Sequence, residues 1–218
     1  MELCLTGVEL ATIDGLPLIE PTTVTFPHGI TALVGSNGAG KSTLLRAIVG
    51  LHPLTAGTIR LGAIDHRRDR TAFLAQSVFV PQNFTGYPEM TGEEFLTYFL
   101  RLRGVRRGDA TRRAQEWLAA VGMEQAGRRK TATYSQGMLQ RLGFAYAMQS
   151  NAELCVMDEP FAGIDPEGRD ALTALLFRAS STCVTLLSTH HLEDVQTRGG
   201  AIARIAAHSL VLHRALAS

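Results

Sequence analysis

The sequence predicts an α/β fold: a mixed, mostly parallel sheet covered by helices, entered through an N-terminal antiparallel β region and interrupted by a helical insert. Three observations predict it. Short β-rich runs fill the start of the chain, at Glu2 to Leu10, Thr22 to Phe26 and Ile30 to Val34. The later runs Leu154 to Met157 and Val184 to Leu187 are continuously apolar, as strands covered on both faces are, with a helix expected between them at Asp170 to Phe177. Between these two strand-rich parts, from about Phe84 to Ser150, apolar residues recur at helical spacing instead.

Taken in order, the strand at Ile30 to Val34 runs into Gly35-Ser36-Asn37-Gly38-Ala39-Gly40-Lys41-Ser42-Thr43, which opens an apolar helix from Leu44 to Val49. A strand, a glycine-rich loop with Lys-Ser at its end, and a helix form a phosphate loop. Gly35, Gly38 and Gly40 let backbone N–H groups approach a polyphosphate, and the helix start adds unpaired amides and a positive dipole end. Lys41 supplies a cation and Ser42 a hydroxyl for Mg²⁺. The segment therefore reads as a nucleoside triphosphate site. Downstream, Ala56-Gly57-Thr58 reads as a hairpin turn and Ser77 to Val80 as a strand ending at Pro81. Thr91 and Glu94 have capping-box spacing ahead of an apolar stripe at Phe95, Leu96, Phe99 and Leu100. Further helices are expected at Ala110 to Val121 and Gln136 to Gln149, and a last strand at Leu210 to Leu212.

Bulk properties narrow the classes. With 218 residues and 45% hydrophobic content the chain can bury a sizeable core. Its longest apolar runs are strand-sized, its N-terminus lacks the pattern of a secretory signal, and its three cysteines, Cys4, Cys155 and Cys183, sit in apolar runs as small hydrophobes do. A cytoplasmic chain is expected. A net charge of +1 gives no general pull on nucleic acid, and none is expected as a partner. Arg112 and Arg113 fall largely opposite the apolar stripe Ala110, Ala114, Trp117, Leu118 and Val121, on a solvated face.

A second nucleotide motif ends the strand Leu154 to Met157. Ligands of parallel sheets bind at the carboxyl ends of strands. Asp158 is placed there to hold Mg²⁺ through its water shell, and Glu159 to orient and deprotonate a water aimed at the γ-phosphate. His190 and His191, as adjacent strand residues, would face opposite sides, which argues against a shared metal.

With these two motifs in place, Tyr134-Ser135-Gln136-Gly137-Met138-Leu139-Gln140-Arg141 resembles the signature of ATP-binding cassette (ABC) proteins. The resemblance covers the whole chain and implies a P-loop NTPase (RecA-like) core. It implies one ATP-binding domain over 1–218, with a nucleotide-binding core at 1–83 and 151–218 and a helical signature subdomain at 84–150. Ser135 and Gly137 would meet the γ-phosphate of an ATP held by the phosphate loop of a second cassette. Gln82 would touch Mg²⁺ and the attacking water, Asp165 would lie on a loop crossing the dimer interface, and His190 would sense the γ-phosphate. Asp165 followed by Pro166 is also a good helix N-cap with proline at N1, and both readings stand.

Val80-Pro81-Gln82-Asn83-Phe84-Thr85-Gly86-Tyr87, with Met90-Thr91, is similar in wording to ATPase subunits of bacterial ABC-2-type exporters. That implies ATP and Mg²⁺ as cofactors, a homodimer or a heterodimer with a second cassette, and a separately encoded membrane permease, the protein lying against the inner face of the cell membrane. Phe84, Tyr87 and Met90 would either dock the permease or pack the insert. Gln136 and Met138 depart from the commonest signature. No aromatic stands in Ala11 to Gly15, where the family stacks adenine; missing stacking costs about 1 kcal/mol, so discrimination between ATP and GTP should be modest. A soluble ABC ATPase acting on nucleic acid or ribosomes, and a cassette that binds ATP without hydrolysing it, are the alternatives.

Overall fold

Alternating burial builds the antiparallel region. In the computed structural model, which describes residues 1–12 and 14–213, β1 (Leu3–Ala11) buries Leu3, Leu5, Val8 and Leu10 on one face. β2 (Pro17–Phe26) starts earlier than the sequence suggests. It carries Pro17 and Pro21, which have no N–H to give a ladder, and it is tolerated because it is the edge strand of its sheet. β3 (Gly29–Val34) is almost wholly buried and leads through the phosphate loop into α1 (Lys41–Ile48). β4 (Ala56–Leu61) and β5 (Ile64–Asp65) complete a four-stranded sheet in the order β2-β1-β4-β5.

The expected hairpin at Ala56-Gly57-Thr58 is corrected here: these residues begin β4, and the turn lies between Leu61 and Ile64. Gly57 is there for another reason. Its φ is +86°, and a Cβ would sit 2.3 Å from the Gly7 carbonyl oxygen, so β1 and β4 approach at a point where only glycine fits.

The short helix α2 (Arg70–Ala75) precedes β6 (Ser77–Val80). Three helices follow: α3 (Gly92–Leu102), α4 (Arg107–Ala120) and α5 (Gln136–Gln149). The chain then returns through β7 (Leu154–Asp158), α6 (Pro166–Ala179), β8 (Val184–Ser188), α7 (Leu192–Gln196), β9 (Ala201–Ala206) and β10 (Ser209–His213). Six strands form the second sheet in the order β10-β9-β3-β8-β7-β6. β3 runs parallel to β8 and β9, β7 runs parallel to β8, and β10 pairs antiparallel with β9.

Contacts divide the chain into two units. The first comprises Met1–Phe79, Ala152–Glu159 and the part from Thr173 onward; the second comprises Val80–Asn151 and Pro160–Leu172. The core of the first gathers around α1, whose Leu44, Leu45 and Ile48 are buried with Leu5, Phe26 and Val156 from the strands.

In the second unit the capping box of α3 closes in both directions: Glu94 N donates to Thr91 Oγ1 at 3.1 Å, and Thr91 N to Glu94 Oε2 at 2.7 Å. Its centre is aromatic, with ring centroids 4.8 Å apart for Phe95 and Phe99 and 4.9 Å for Phe99 and Tyr146. Phe84 is 6% exposed and packs on Phe95 and Tyr146, so it serves the interior of this unit, whereas Tyr87 is 49% exposed. Arg112 lies on the wet face, paired with Asp109 and Glu116, but Arg113 is half-buried and donates to the Gln149 carbonyl at 3.1 Å. Cys155 is buried, whereas Cys4 and Cys183 are partly exposed.

Candidate active site

The strand register aligns the reactive residues of the first unit. Ser188 is the register partner of both Leu33 in β3 and Asp158 in β7, so these three strands end together. Their carboxyl ends carry the phosphate loop, Asp158-Glu159 and Thr189-His190 respectively. Gly38 and Gly40 have φ of +81° and +95°, a left-handed conformation that glycine adopts freely, and Gly40 is the N-cap of α1, which starts at Lys41. Gly35 cannot be larger: a Cβ would meet the Ile205 carbonyl oxygen at 2.7 Å. Lys41 is 9% exposed, and its Nζ donates to the carbonyls of Gly35 at 2.8 Å and Ser36 at 3.0 Å. Ser36, Asn37 and Gly38 are exposed at the rim, while Ala39, Ser42 and Thr43 are half-buried.

Asp158 is 1% exposed. Its Oδ1 accepts from Ser188 Oγ at 2.6 Å, while Oδ2 is buried with no hydrogen-bond partner. A buried carboxylate oxygen with spare acceptor capacity, at the carboxyl end of a strand as the phosphate loop is, is a donor suited to a hydrated Mg²⁺. Ser188 also accepts from the Glu159 N–H at 2.8 Å, so one hydroxyl orients both acidic residues. Sequence reasoning gave Ser188 no role; only strand register reveals it.

Glu159 has a φ of +50°, an uncommon conformation for a side chain of this size. His190 Nε2 lies 3.1 Å from Glu159 Oε1. Burial pushes the Glu159 carboxyl above the usual glutamate range; His190 opposes this, Asp158 adds to it, and Lys41 and His191 weigh against it. A raised carboxyl pKa beside a histidine is the environment of a general base. His190 and His191 are not strand residues, contrary to expectation: β8 ends at Ser188, both histidines lie beyond it, and His191 occupies the N-cap position of α7. Among the described residues there is no group of three or more His, Cys, Asp or Glu arranged to hold a metal.

The signature lies wholly in the second unit. Ser135 is the N-cap of α5, accepting from Met138 N at 3.3 Å, and with Gln136 it is exposed. A Cβ on Gly137 would stand 2.9 Å from the Gly163 carbonyl oxygen, so this helix end lies flush against the loop before α6. Asp165 takes its structural role in full: its Oδ2 accepts from Gly168 N at 3.0 Å, which holds its carboxyl below the usual aspartate range. Arg141 Nη2 is 3.4 Å from Asp165 Oδ1. Gln82 follows β6 with an exposed side chain. Its carbonyl accepts from Gln140 Nε2 at 2.7 Å. Ile13, in the stretch expected to face adenine, lies outside the described residues; of its described neighbours, Thr12 N donates to Leu16 O at 2.8 Å.

The sheet order, the helices around it and the phosphate loop at the strand ends define a P-loop NTPase. A solved structure described as the ATP binding subunit of an ABC transporter superposes with a TM-score of 0.89 over 98% of this chain and 90% of that one, at 24% identity. The sequence profile described as ABC transporter matches residues 20–162, and the chain belongs to the ABC transporter family as an ATP-binding domain. Similar proteins include the linearmycin resistance ATP-binding protein LnrL of Bacillus subtilis (strain 168), 34% identical over 75% of this chain and 53% of LnrL. The uncharacterized ABC transporter ATP-binding protein YxlF of the same organism is 36% identical over 76% of this chain and 54% of YxlF. The human retinal-specific phospholipid-transporting ATPase ABCA4 is 31% identical over 88% of this chain and 8% of ABCA4. The chain thus spans about half the length of the Bacillus relatives.

Proposed function

We propose that the chain hydrolyses ATP as one of two cassettes closing head to tail around two nucleotides, and so drives a separately encoded permease that exports its cargo. The carrying observation is the Glu159 carboxylate held by His190 Nε2 at 3.1 Å, on the strand-end edge that bears the phosphate loop. The resistance and phospholipid-transporting names of LnrL and ABCA4 favour export. No helix among the described residues is long and apolar enough to cross a membrane, consistent with a chain that acts from the inner membrane face through a partner.

Each residue then has a task. The loop amides of residues 35 to 43 bind the β and γ phosphates, and Lys41 exchanges its two loop carbonyls for phosphate oxygens. Ser42 and Asp158 would hold Mg²⁺, and Gln82 would serve as a further ligand as the family resemblance implies. When bound, Mg²⁺ neutralises charge on the phosphate oxygens. Glu159, fixed at Oε1 by His190, orients a water and takes its proton through the other oxygen as the γ-phosphoryl group leaves ADP. Ser135 and Gly137 present the α5 N-terminus to the γ-phosphate bound by the partner cassette. Closure therefore persists only while the γ-phosphate joins the two cassettes, and hydrolysis reopens them.

The test is steady-state phosphate release and light scattering of wild type and Glu159→Gln with Mg-ATP. The proposal expects turnover in the wild type and, in the variant, ATP binding with a trapped dimer. Equal turnover in both proteins removes Glu159 from its role, and a variant that stays monomeric with saturating Mg-ATP removes the shared-nucleotide dimer.

A further inference from the structure

Gln140 is 1% exposed, inside the second turn of α5, and is used by nothing in the scheme above. Its Nε2 donates to the Gln82 carbonyl at 2.7 Å, across a separation of 58 residues, while its Oε1 is buried without a partner. A buried amide that leaves its own oxygen unsatisfied is held for the sake of its donor. One turn further along the same face, a Cβ on Gly143 would meet the Phe84 ring at 2.9 Å and Val80 Cγ1 at 3.0 Å. The segment from Val80 to Phe84 thus lies flush on α5, and within it Gln82 is exposed and pinned by its backbone. Apolar contact at Gly143 resists separation but permits sliding and rotation; a short directional hydrogen bond does not. The same helix end touches the loop before α6 at Gly163 and Asp165.

We infer that Gln140 is a positioning residue that fixes the peptide after Gln82 to the signature helix, so that Gln82 and Ser135 move as one body. This rests on the proposed function only in assigning nucleotide contacts to those two residues. A merely structural Gln140 would contribute to stability and leave turnover alone.

The experiment uses the full chain with Mg-ATP. Gln140→Met keeps the volume and removes the donor: kcat is expected to fall about tenfold, with KM for ATP within about twofold of wild type. Gln140→Leu also removes the donor, with a different apolar shape, and is expected to lower kcat by a similar factor with KM for ATP again within about twofold of wild type, a split that a packing role does not produce. Hydrogen exchange gives a readout apart from turnover. Mg-ATP should protect residues 81–86 and 134–139 together in wild type, and uncouple the two segments in Gln140→Met. Unchanged kcat in Gln140→Met, a KM that rises in step with the fall in kcat, or joint protection that survives the substitution overturns the inference. Should Gln140→Met fail to fold, the turnover and exchange of Gln140→Leu decide. A wild type that binds Mg-ATP without releasing phosphate overturns the hydrolytic reading, and the exchange experiment still judges the clamp.

Discussion

The strand-end edge of the first unit and the N-terminal turn of α5 in the second are both suited to a phosphate, yet they are built in opposite ways. At the strand ends Ser188, Asp158 and Lys41 are buried and the groups are interconnected: Ser188 holds Asp158 and the Glu159 amide, Lys41 is held by the loop's own carbonyls, and His190, itself exposed, holds the Glu159 carboxylate from the solvent side. At α5 the functional surface is exposed, with Ser135 and Gln136 in solvent, and its support comes from behind, through Gly137, Gln140, Arg141 and Gly143. A buried network sets protonation and geometry for chemistry. An exposed helix end braced at its back offers its amides outward, as a surface that meets something else does. On the proposed function, the difference separates the part that would perform the reaction from the part that would report its progress.

The largest expected effect breaks the buried network at its reactive member. Glu159→Gln should lower steady-state phosphate release by about 10² to 10⁴ while leaving equilibrium ATP binding intact. An equal loss from altering the exposed side, with Ser135→Ala, would erase the distinction; that change is expected to weaken Mg-ATP-driven dimerisation instead, as light scattering would report.

Next comes Ser188→Ala. It removes a donor from Asp158 Oδ1 and an acceptor from Glu159 N in one step, so denaturant melts should show a loss of about 1–3 kcal/mol together with reduced turnover. Charge sharpens the comparison further. Because burial raises the Glu159 carboxyl, the base is lost by protonation at a higher pH than an ordinary glutamate would be, and the acid limb of the kcat profile should lie above the usual carboxylate range. His190→Gln removes the neighbour whose influence opposes this rise, so its limb should move higher still.

The same shift carries a stability sign. A carboxyl whose folded pKa exceeds its unfolded one favours the fold below the unfolded value, and that contribution is lost as pH rises through the folded value. Glu159→Gln should therefore melt roughly 1–4 °C above wild type near neutral pH, with the gap closing in acid. The smallest expected effect concerns the base of the nucleotide: ATP should bind no more than about a hundredfold better than GTP in competition, given no aromatic in Ala11 to Gly15.

Much of this was legible in the sequence because local chemistry dictates it. The phosphate loop, the Thr91 capping box and α5 from Gln136 to Gln149 are written in contiguous residues whose spacing has one sensible reading. What escaped depends on partners distant in the chain. Ser188 gains its role only through parallel register with Asp158, and Gln140 only through the Gln82 carbonyl. Gly57 resembled a turn because glycine punctuates turns, yet here it answers the approach of Gly7 from another strand. β9, Ala201–Ala206, is half alanine with an arginine between its two isoleucines, which weakens the strand signal; its place beside β3 supplies what its composition lacks.

One atom ties these themes together. Asp158 Oδ2 sits sealed among strands with no hydrogen to accept, which burdens the native state relative to the denatured one. Whatever relieves that frustration shifts the unfolding equilibrium toward the native form, independently of any turnover. Calorimetry in chelator, in Mg²⁺ alone and in Mg-nucleotide should then yield a ladder of rising midpoints, and Asp158→Asn, which substitutes a neutral amide, should flatten its rungs.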